Sequence, residues 1–550
     1  MFDWVKKDLK NFGNYCDAID IKKMDSKSID IAFIGSGLSS TFTLIEFINQ
    51  IEDKVNSSSK LYDDRTLKIA MFEKDSWLWG GIPYGRRSGY TSLLITPLDE
   101  FLPEEELPLF VNWISENIDW LITPFKKYSG PRSKKWLENS EKKIRSGNSS
   151  SIHVPRYFFG IYIWDKLRKA VSNSSINIKL DFIKAEATSV KMDKQKGFEV
   201  CVNNDTFFYS NQVLLGVGIP QIRNLSKNNK ENYDVIFFND PYNPDLESTI
   251  LNIHAHIQRE KSSDILIVGA NASALELIYQ ITNLNNFENF DVNFSVLSPQ
   301  GKLPGLFVKD KKTDFIASAL EDIYKSDEEI TAELILDSFK RDLDFADNNN
   351  YLISDTLSIF TKHIGSLSRR LSKDEKNKFV SHHGLEIGRL QRRAGLEYIQ
   401  PIEKLIASEN INMIKGKFIG FANHKNKTVV EFQTEDKVSN KKNHFDIVIN
   451  CAGSAGLKSG VTSPLLSQLI DSGLCKPTPS NHGFIVGSKF DVVPNFYING
   501  PLLAGNVVGE MGIWHVEHCG RIISFAKQIA NYMIENETIM TNLIQNEDSN

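Results

Sequence analysis

A glycine- and serine-rich stretch near the start of the chain has the residue types that a dinucleotide site needs. GSGLSS (35–40) follows the apolar run IDIAFI and precedes the helical pattern TFTLIEFINQI. In a strand–turn–helix unit, Gly35 permits a tight turn, Gly37 lets the backbone approach a pyrophosphate, and Ser40 allows close helix–strand packing. The amides at the helix start would bind the phosphates. An ordinary strand–helix turn is the alternative. The candidate pyrophosphate-binding residues are Gly35, Ser36, Gly37, Leu38, Ser39 and Ser40.

An acid at the end of the next predicted strand suits the ribose of the same dinucleotide. LKIAMF (67–72) is the second β-rich run, and Glu73 follows it directly. An acid in this position usually comes about 20 residues after the glycines. Glu73 lies later than that, and the polar segment KVNSSSKLYDDRT (54–66) predicts a surface insertion that accounts for the difference.

The loop EKDSWLWGGIPYG (73–85) combines the acid with aromatic residues and bare backbone. We expect its glycines to allow close approach to the dinucleotide and its aromatics to cover a ring system. The alternative is that Trp77, Trp79 and Tyr84 are core residues. The candidates in this loop are Glu73, Lys74, Trp79, Gly81, Ile82 and Tyr84.

A second strand–turn–helix pattern, DILIVGANASALELIYQITN, covers 264–283, and NFSVLS (293–298) predicts its second strand. Asn271 stands where the second glycine is expected, and no acid ends the second strand. Lys302 favours NADP over NAD, because a cation suits a 2′-phosphate. A structural unit without nicotinamide is the alternative. The candidates are Gly269, Asn271, Ser273, Ala274 and Lys302.

Two short apolar strands and the C-terminal region are further landmarks. We expect VLLGVG (213–218), which contains Gly216, and IVINCAG (447–453) to return to the first sheet. The stretch 496–534 predicts a strand, a glycine-rich loop and a long helix that begins near Gly512, with its positive end towards the cofactor. His515 and His518 would lie on one face of that helix, but no third ligand is evident, and we predict no metal site.

The segment from about 305 to 400 has helical periodicity and predicts an insertion. It ends in FVSHHGLEIGRLQRRAG (379–395), which gathers two histidines and three arginines. These residues predict a site for an anionic substrate or an NADP phosphate, and a solvated helix face is the alternative. His382, His383 and Arg392 are the candidates for substrate contact.

Composition limits the classes of function. The 550 residues carry a net charge of −5 with scattered basic residues, which argues against a nucleic-acid-binding protein. Five cysteines without metal-type spacing favour a reducing compartment. No signal peptide or apolar stretch of about 20 residues is evident, so we expect a cytoplasmic protein without membrane contact. The sequence leaves oligomeric state open, homo-oligomers included.

The order of these pieces resembles the bacterial FAD/NAD(P)-binding family of two-dinucleotide-domain flavoproteins, which is distantly similar to N-hydroxylating and Baeyer–Villiger flavin monooxygenases. The resemblance covers most of 29–530 and also rests on VPRYFFGIYIWDKL (154–167), LQRRAG (390–395) and NGPLLAG (499–505). It implies FAD in the first domain and NADPH or NADH as co-substrate at the second. Arg156 and Tyr162 match the R-x-x-x-G-x-Y pattern of the family. The resemblance adds Arg156 to the FAD candidates, and the C-terminal and strand landmarks above add Gly216, Gly512 and Ile513.

We therefore predict an α/β protein with two Rossmann-like dinucleotide-binding domains, for FAD and NAD(P), and a helical insertion. The predicted function is an FAD-dependent oxidoreductase, an NAD(P)H-dependent monooxygenase of a small polar substrate such as an amine. The alternatives are a flavin dehydrogenase or reductase that does not use O₂, and a non-catalytic FAD-binding protein with a decayed nicotinamide site. The predicted segments are 1–245 and 441–550 for the FAD domain, 246–310 and 396–440 for the NAD(P)-binding-like domain, and 311–395 for the insertion.

Overall fold

β-Branched and aromatic runs form the strands, and amphipathic segments between them form the helices. The computed structural model describes residues 27–57, 65–75, 78–193, 196–225, 234–308, 312–424, 427–434, 443–458, 463–516 and 518–535. In chain order the strands are β1 (Ser28–Ile34), β2 (Leu67–Glu73), β3 (Ile178–Lys184), β4 (Ala187–Asp193), β5 (Gly197–Val202), β6 (Thr206–Leu215), β7 (Ile236–Phe238), β8 (Ser262–Val268), β9 (Asp291–Ser298), β10 (Gly305–Leu306), β11 (Arg393–Ala394), β12 (Ile411–His424), β13 (Lys427–Thr434), β14 (Ile447–Asn450), β15 (Asp491–Val493), β16 (Phe496–Ile498), β17 (Asn506–Val508) and β18 (Met511–Ile513).

The helices are numbered in the same way. They are α1 (Leu38–Ser57), α2 (Gly81–Tyr84), α3 (Leu98–Phe101), α4 (Leu107–Tyr128), α5 (Pro131–Arg145), α6 (Arg156–Asn173), α7 (Leu246–Glu260), α8 (Ala272–Ile281), α9 (Ser318–Lys325), α10 (Ala332–Asn348), α11 (Ile353–Arg370), α12 (Lys373–Lys378), α13 (Gly384–Leu390), α14 (Leu396–Ala407), α15 (Pro464–Asp471) and α16 (Cys519–Ile534). A π-helical turn, Phe379–His383, links α12 to α13.

The first sheet has the strand order β15-β16-β6-β1-β2-β3, and β4 and β5 extend it from β6. β1 pairs in parallel with β2 and β6, and Ile31 lies opposite Ile69 and Gln212. Six of the seven residues of β1 are buried, as expected for a parallel strand that helices cover on both faces. The carboxyl ends of β1, β2 and β6 therefore meet at one edge, where Gly35 follows β1, Glu73 ends β2 and Gly216 follows β6.

The second sheet has the order β13-β12-β9-β8-β14-β7 and is parallel except for the β12–β13 hairpin. The expectation that 447–453 returns to the first sheet is wrong, because β14 pairs in parallel with β7 and β8. The strand at 213–218 does join the first sheet, as β6. Strand pairing thus extends the second unit on both sides of the predicted segment 246–440.

The predicted insertion is helical and contains α9 to α13. Its buried residues, among them Phe339, Phe360 and Ile387, form a hydrophobic cluster distinct from the main core. Phe339 and Phe360 contact each other edge to face, with ring centroids 4.8 Å apart. The insertion therefore has a small core of its own.

The C-terminal region departs from the prediction of a helix that begins near Gly512. Gly512 and Ile513 lie in the β17–β18 hairpin, whose turn contains Gly509 at φ 58°. The last helix, α16, begins at Cys519, and His518 caps it by accepting a hydrogen bond from the Gly520 amide. His515 precedes the helix, so His515 and His518 do not share a helix face.

Two kinds of structural feature are absent from the described ranges. No helix there is both long and apolar enough to cross a bilayer. No group of three or more His, Cys, Asp or Glu side chains in those ranges could hold a metal ion.

Candidate functional site

Gly35 forms the turn after β1, and the protein itself requires a glycine there. Its φ is +91°, and a Cβ atom would lie 2.7 Å from the Gly216 carbonyl oxygen. A Cβ at Gly216 would in turn lie 2.3 Å from Ser40 Oγ. Ser40 thus fills the third small position of the motif, as predicted, and β1, β6 and α1 approach closely because two of these three residues are glycines.

Gly37 differs, because none of the described residues around it requires a glycine at this position. A Cβ there would meet only the backbone of Gly81, at the ordinary contact distances of 3.7 Å from Cα and 3.9 Å from N. Such an atom would occupy the space between the turn and the second glycine loop. A pyrophosphate that approaches the backbone at the start of α1 explains the glycine. The residues present at this turn fit a dinucleotide.

Glu73 lies beside the same turn. Its carboxylate accepts hydrogen bonds from Ser36 N at 2.9 Å, Ser36 Oγ at 2.8 Å and Asp75 N at 2.9 Å. A carboxylate has about four lone-pair positions, so Glu73 has capacity for a ribose hydroxyl. Lys74, in contrast, turns towards Glu186, with 3.9 Å between Nζ and Oε1.

The loop after Glu73 contains three consecutive residues in the left-handed region. They are Trp79 at φ 68°, Gly80 at φ 74° and Gly81 at φ 57°. Trp79 is the unusual one, because a side chain at positive φ is strained, and such strain concentrates at functional sites. Successive backbone amides in a turn of this kind can form a concave anion-binding surface.

The aromatic residues of this loop belong to the core. The buried Trp79 contacts Phe182 of β3 edge to face at a centroid distance of 4.5 Å. Tyr84 packs against Phe101 and Phe159. These contacts favour the core interpretation over a cover for a ring system. Trp79 Nε1 is buried and has no hydrogen-bond partner among the described residues. Ile82 is half-buried in α2, and Trp77 lies outside the described residues.

The second turn contains the glycine that its backbone requires, but a side chain of the turn caps the helix that follows. Gly269 has φ +113°, and a Cβ there would lie 2.0 Å from the Cys451 carbonyl oxygen. Asn271 caps α8: its side-chain oxygen accepts from Ser273 N at 3.0 Å and Ala274 N at 3.4 Å. Its side-chain amide donates to Cys451 O at 2.8 Å. The amides that would bind a phosphate therefore already have an acceptor.

Lys302 does not point at this turn. Its ammonium pairs with Asp347 of α10 at 3.2 Å, and both side chains are more than half exposed. Lys302, which we predicted to bind the 2′-phosphate, thus lies at the contact between the second unit and the insertion.

A buried ion pair joins the two units. Arg156, the first residue of α6, donates to Glu276 of α8 at 3.1 Å and to the Leu93 carbonyl oxygen at 2.9 Å. The Tyr242 hydroxyl donates to the same carboxylate at 2.5 Å. Burial lowers the pKa of Arg156, but Glu276 and three neighbouring tyrosines together raise it by more, so the pKa rises overall. The guanidinium that we predicted for the flavin is thus bonded to the second unit.

The other members of the R-x-x-x-G-x-Y pattern also have contacts within the protein. A Cβ at Gly160 would lie 2.1 Å from the Tyr84 carbonyl oxygen, so glycine lets α6 approach the glycine loop. The Tyr162 hydroxyl donates to Glu106, which also pairs with Lys166. This motif fixes the position of the loop.

The predicted substrate residues have different surroundings. His382 is exposed in the π-helical turn, and His383 lies near Glu375, whose pKa is lowered first by a hydrogen bond from Lys378 and least by His383. Arg392 instead lies near His515, a residue that we predicted only as half of a discarded metal pair. Arg521 donates to the His515 carbonyl oxygen at 3.1 Å and stacks over Trp514. Sequence reasoning missed this grouping, since Arg392 lies more than a hundred positions before the other three residues.

Gly512 lies where the insertion meets the C-terminal hairpin. A Cβ there would lie 2.9 Å from Val380 Cγ1 in the π-helical turn, and Ile513 is buried. These contacts are with the protein itself, and a flavin contact at Gly512 and Ile513 stays a prediction.

Comparison with known proteins supports the assignment of the first unit as a dinucleotide-binding unit. Residues 32–220 match the model of a family described as FAD-NAD(P)-binding. That match includes Gly35, Glu73, Arg156 and Gly216. Uncharacterized protein Rv3403c of Mycobacterium tuberculosis and uncharacterized protein Mb3437c of Mycobacterium bovis are each 26% identical to this chain over 514 residues, which are 92% of this chain and 95% of each relative.

Solved structures share the fold at low identity. One is an ornithine N-hydroxylase from Kutzneria sp. 744, with a TM-score of 0.50 and 12% identity over 92% of this chain and 99% of that chain. Another is DfoA, a cadaverine monooxygenase from Erwinia amylovora solved with FAD, with a TM-score of 0.51 and 11% identity over 92% and 95% of the two chains. The arrangement of two nucleotide units is therefore the one that these flavoproteins have.

Proposed function

We propose that this protein, whose residues 32–220 carry an FAD/NAD(P)-binding domain, is an FAD-dependent oxidoreductase that takes electrons from NADPH or NADH. We further propose that it is a monooxygenase of a small polar substrate, such as an amine. The two structural relatives named above, an ornithine N-hydroxylase and a cadaverine monooxygenase, support this choice.

The observation that carries the proposal is the geometry of the first turn. Gly37 leaves a space that no described residue fills, and Glu73 lies beside it with capacity for one more hydrogen bond. An open helix start and a ribose-binding acid in adjacent positions are what a dinucleotide requires.

The residues of the chain bind, orient and shield. The first amides of α1 would bind the pyrophosphate, and Glu73 the adenosine ribose. Bound FAD supplies two-electron redox chemistry and, in a monooxygenase, the reaction with O₂. The aromatic core around Trp79, Tyr84 and Phe159 excludes water from one side of the loop. His515 is uncharged at neutral pH, because burial and then Arg521 lower its pKa to about 4.

The test is an anaerobic titration of the purified, FAD-loaded protein with NADPH and with NADH, followed by flavin absorbance. We expect NAD(P)H to bleach the flavin bands, and a product to form under air from an amine substrate. Bands that never bleach would contradict the proposed electron donor. Protein that takes up no FAD would contradict the whole proposal.

A matched pair of variants tests the ribose contact. Glu73→Gln keeps only one acceptor oxygen, so it cannot accept from both Ser36 and Asp75 and loses its charge, and we expect FAD to bind at least tenfold more weakly. Glu186→Gln is the control, because Glu186 lies on the same rim but pairs only loosely with Lys74. Equal FAD affinity in the two variants would remove Glu73 from the site.

One observation favours the alternative of a non-catalytic FAD protein with a decayed nicotinamide site. Asn271 fills the second turn with its own cap. Failure of both nicotinamides to reduce a bound flavin would favour this alternative. Reduction followed only by peroxide release, with every substrate tried, would favour a flavin dehydrogenase or reductase.

A further inference from the structure

A groove of about 780 Å³ lies between α5 and α14, and we call it the α5–α14 groove. α5 belongs to the segment between β2 and β3 of the first unit, whereas α14 precedes β12 of the second sheet. The end of α8 and the segment from 284 to 292 complete the lining. None of the lining residues is among those that we predicted for FAD, NADP or the substrate. The groove is thus separate from the candidate dinucleotide site, and its volume is typical of small-molecule sites.

Each of the two helices presents one face to the groove. Residues three and four positions apart on a helix lie on the same face. The lining shows this spacing on both helices, with Arg132, Lys135 and Trp136 on α5 and Pro401, Lys404 and Leu405 on α14.

A hydrogen-bonded contact between α5 and α8 fixes the end of the groove at Arg132. The Arg132 Nε donates to the Thr282 carbonyl oxygen at 3.1 Å, and the Arg132 amide donates to the Asn283 side chain at 2.9 Å. A Cβ at Gly130 would lie 1.8 Å from the Asn283 carbonyl oxygen, so glycine lets the start of α5 approach α8. Within the described ranges, the two terminal nitrogens of Arg132 have no acceptor. The guanidinium is therefore held in place with donors to spare.

Three cations line the groove: Arg132, Lys135 and Lys404. Among the residues that the structure describes, no carboxylate lies within ion-pair distance of any of them. Burial lowers the pKa of Arg132, and the neighbouring Tyr279 and Glu288 offset only part of that effect. A partly buried guanidinium without a paired anion is unfavourable, and a bound anion relieves that cost.

The rest of the lining is mixed. Two carboxylates are present, but Glu397 lies beside His153, with 3.9 Å between Oε2 and Nε2, and Glu288 is exposed. The lining therefore carries three cations against two carboxylates. The buried Trp136 and Leu405 give it an apolar wall. An occupant that matches this lining has an acidic group and an apolar body.

We propose that the α5–α14 groove binds a small organic anion, with a carboxylate or phosphate group attached to an apolar ring or chain. The acidic group accepts paired hydrogen bonds from the terminal nitrogens of Arg132, with Lys135 and Lys404 nearby. The apolar body packs against Trp136 and Leu405. Such a ligand contacts the first unit through α5 and the second unit through α14.

Calorimetry with the full-length protein in excess FAD tests the binding. The probes are naphthalene-2-carboxylate and 2-naphthyl phosphate, and naphthalene-2-carboxamide is the uncharged control of similar shape. We expect at least one acidic probe to bind with a Kd below about 1 mM. We also expect it to bind at least tenfold more tightly than the carboxamide, because only an anion gains charge-assisted hydrogen bonds from Arg132.

NMR of indole groups shows where the probe binds. The chain contains eight tryptophans, and Trp136→Phe identifies the signal of Trp136. Trp136 lines the groove, and its Nε1 has no hydrogen-bond partner among the described residues. We expect the Trp136 indole signal to shift when the active probe is added, because an aromatic ring beside the indole changes its magnetic environment.

A matched pair of lysine variants tests the charge of the groove. Lys135→Gln should bind the active probe severalfold more weakly. Lys134→Gln is the control, because Lys134 is the adjacent exposed lysine of α5 and does not line the groove. Arg132→Gln should weaken binding at least tenfold. The exposed Lys135 keeps the test valid if the loss of the Arg132 bond to Thr282 affects folding.

The outcomes also distinguish the two acidic groups. Binding of only the carboxylate assigns the groove to carboxylates, binding of only the phosphate assigns it to phosphates, and binding of both supports the shared chemistry. The proposal would be overturned by an absence of binding with both acidic probes or by a carboxamide that binds as tightly. An unmoved Trp136 signal, or equal affinity in Lys135→Gln and Lys134→Gln, would overturn it too. Failure of NADPH to bleach the flavin would contradict the proposed function and leave this binding result standing.

Discussion

The two nucleotide units have the same strand–turn–helix plan but treat the start of the helix in opposite ways. In the first unit, Gly37 leaves the helix start open and Glu73 lies beside it. In the second unit, Asn271 occupies the corresponding position and bonds the first amides itself. A shared fold therefore does not imply a shared ligand, because one side chain can take the place of the phosphate.

Breaking the link between the units has the largest expected effect. Arg156→Met leaves the Glu276 carboxylate buried without its cation, so we expect the free energy of unfolding to fall by about 3–5 kcal/mol. Urea unfolding measures the change. The double variant R156M/E276M should recover most of the loss, since it buries no charge. A loss below about 1 kcal/mol in Arg156→Met would mean that water or another group supports Glu276.

Substitutions at Gly35 and Gly37 distinguish effects on stability from effects on FAD binding within the first unit. Gly35→Ala forces a left-handed alanine against Gly216, and we expect a loss of about 1–3 kcal/mol in unfolding free energy. Gly37→Ala should change stability by less than about 1 kcal/mol, because its Cβ meets nothing closer than 3.7 Å. It should nevertheless weaken FAD binding about tenfold by fluorescence titration, as expected for a hindered pyrophosphate. Unchanged FAD affinity in Gly37→Ala would place the pyrophosphate elsewhere.

Asn271→Gly makes the second turn resemble the first. It frees the amides of Ser273 and Ala274, so we expect NADPH affinity to rise severalfold in calorimetry. Stability should fall by only a few tenths of a kcal/mol, because glycine is a tolerated N-cap. Asn271→Ala, which lacks both the cap and the flexibility, is the control. A large loss of affinity in Asn271→Gly would show that the asparagine itself contacts the nicotinamide dinucleotide.

Lys302→Gln tests the smallest difference between the units. Its pair with Asp347 is exposed, so stability should change by less than about 0.5 kcal/mol. If Lys302 leaves Asp347 for a 2′-phosphate, the preference for NADPH over NADH should fall severalfold in Kd. Lys325→Gln, which breaks an exposed pair with Glu321, is the control. An unchanged preference would exclude Lys302 from the site.

Local patterns in the sequence predicted much of the first unit. A turn such as the one at Gly35 depends on neighbours in the chain, and the helices of the insertion follow from their own periodicity. The partner of a strand is not encoded locally: the apolar run at 447–450 suits either sheet, and we assigned it to the wrong one. Near Gly512 we predicted a helix because a glycine-rich loop was followed by a long amphipathic stretch. Gly509 instead turns a hairpin there.

The candidate site could be predicted only in part from the sequence, for the same reason. Glu73 could be identified because it ends a strand next to the glycine turn. The sequence could not show whether the aromatic residues of the loop belong to the core or contact a ligand. The contact between Trp79 and Phe182 places Trp79 in the core. The partners Arg156 and Glu276 lie 120 positions apart, and no periodicity relates them.

The strand order also determines when each sheet can be completed during translation. The second sheet is complete once the ribosome has released Asn450, since β7, β8, β9 and β12 to β14 have all emerged by then. The first sheet must wait, because β16 pairs with β6 and α16 covers α1 only after the last part of the chain appears. The first unit begins earlier in the chain but is completed later than the second. In the nascent chain, the edge of β6 that pairs with β16 therefore stays unpaired until translation is nearly over.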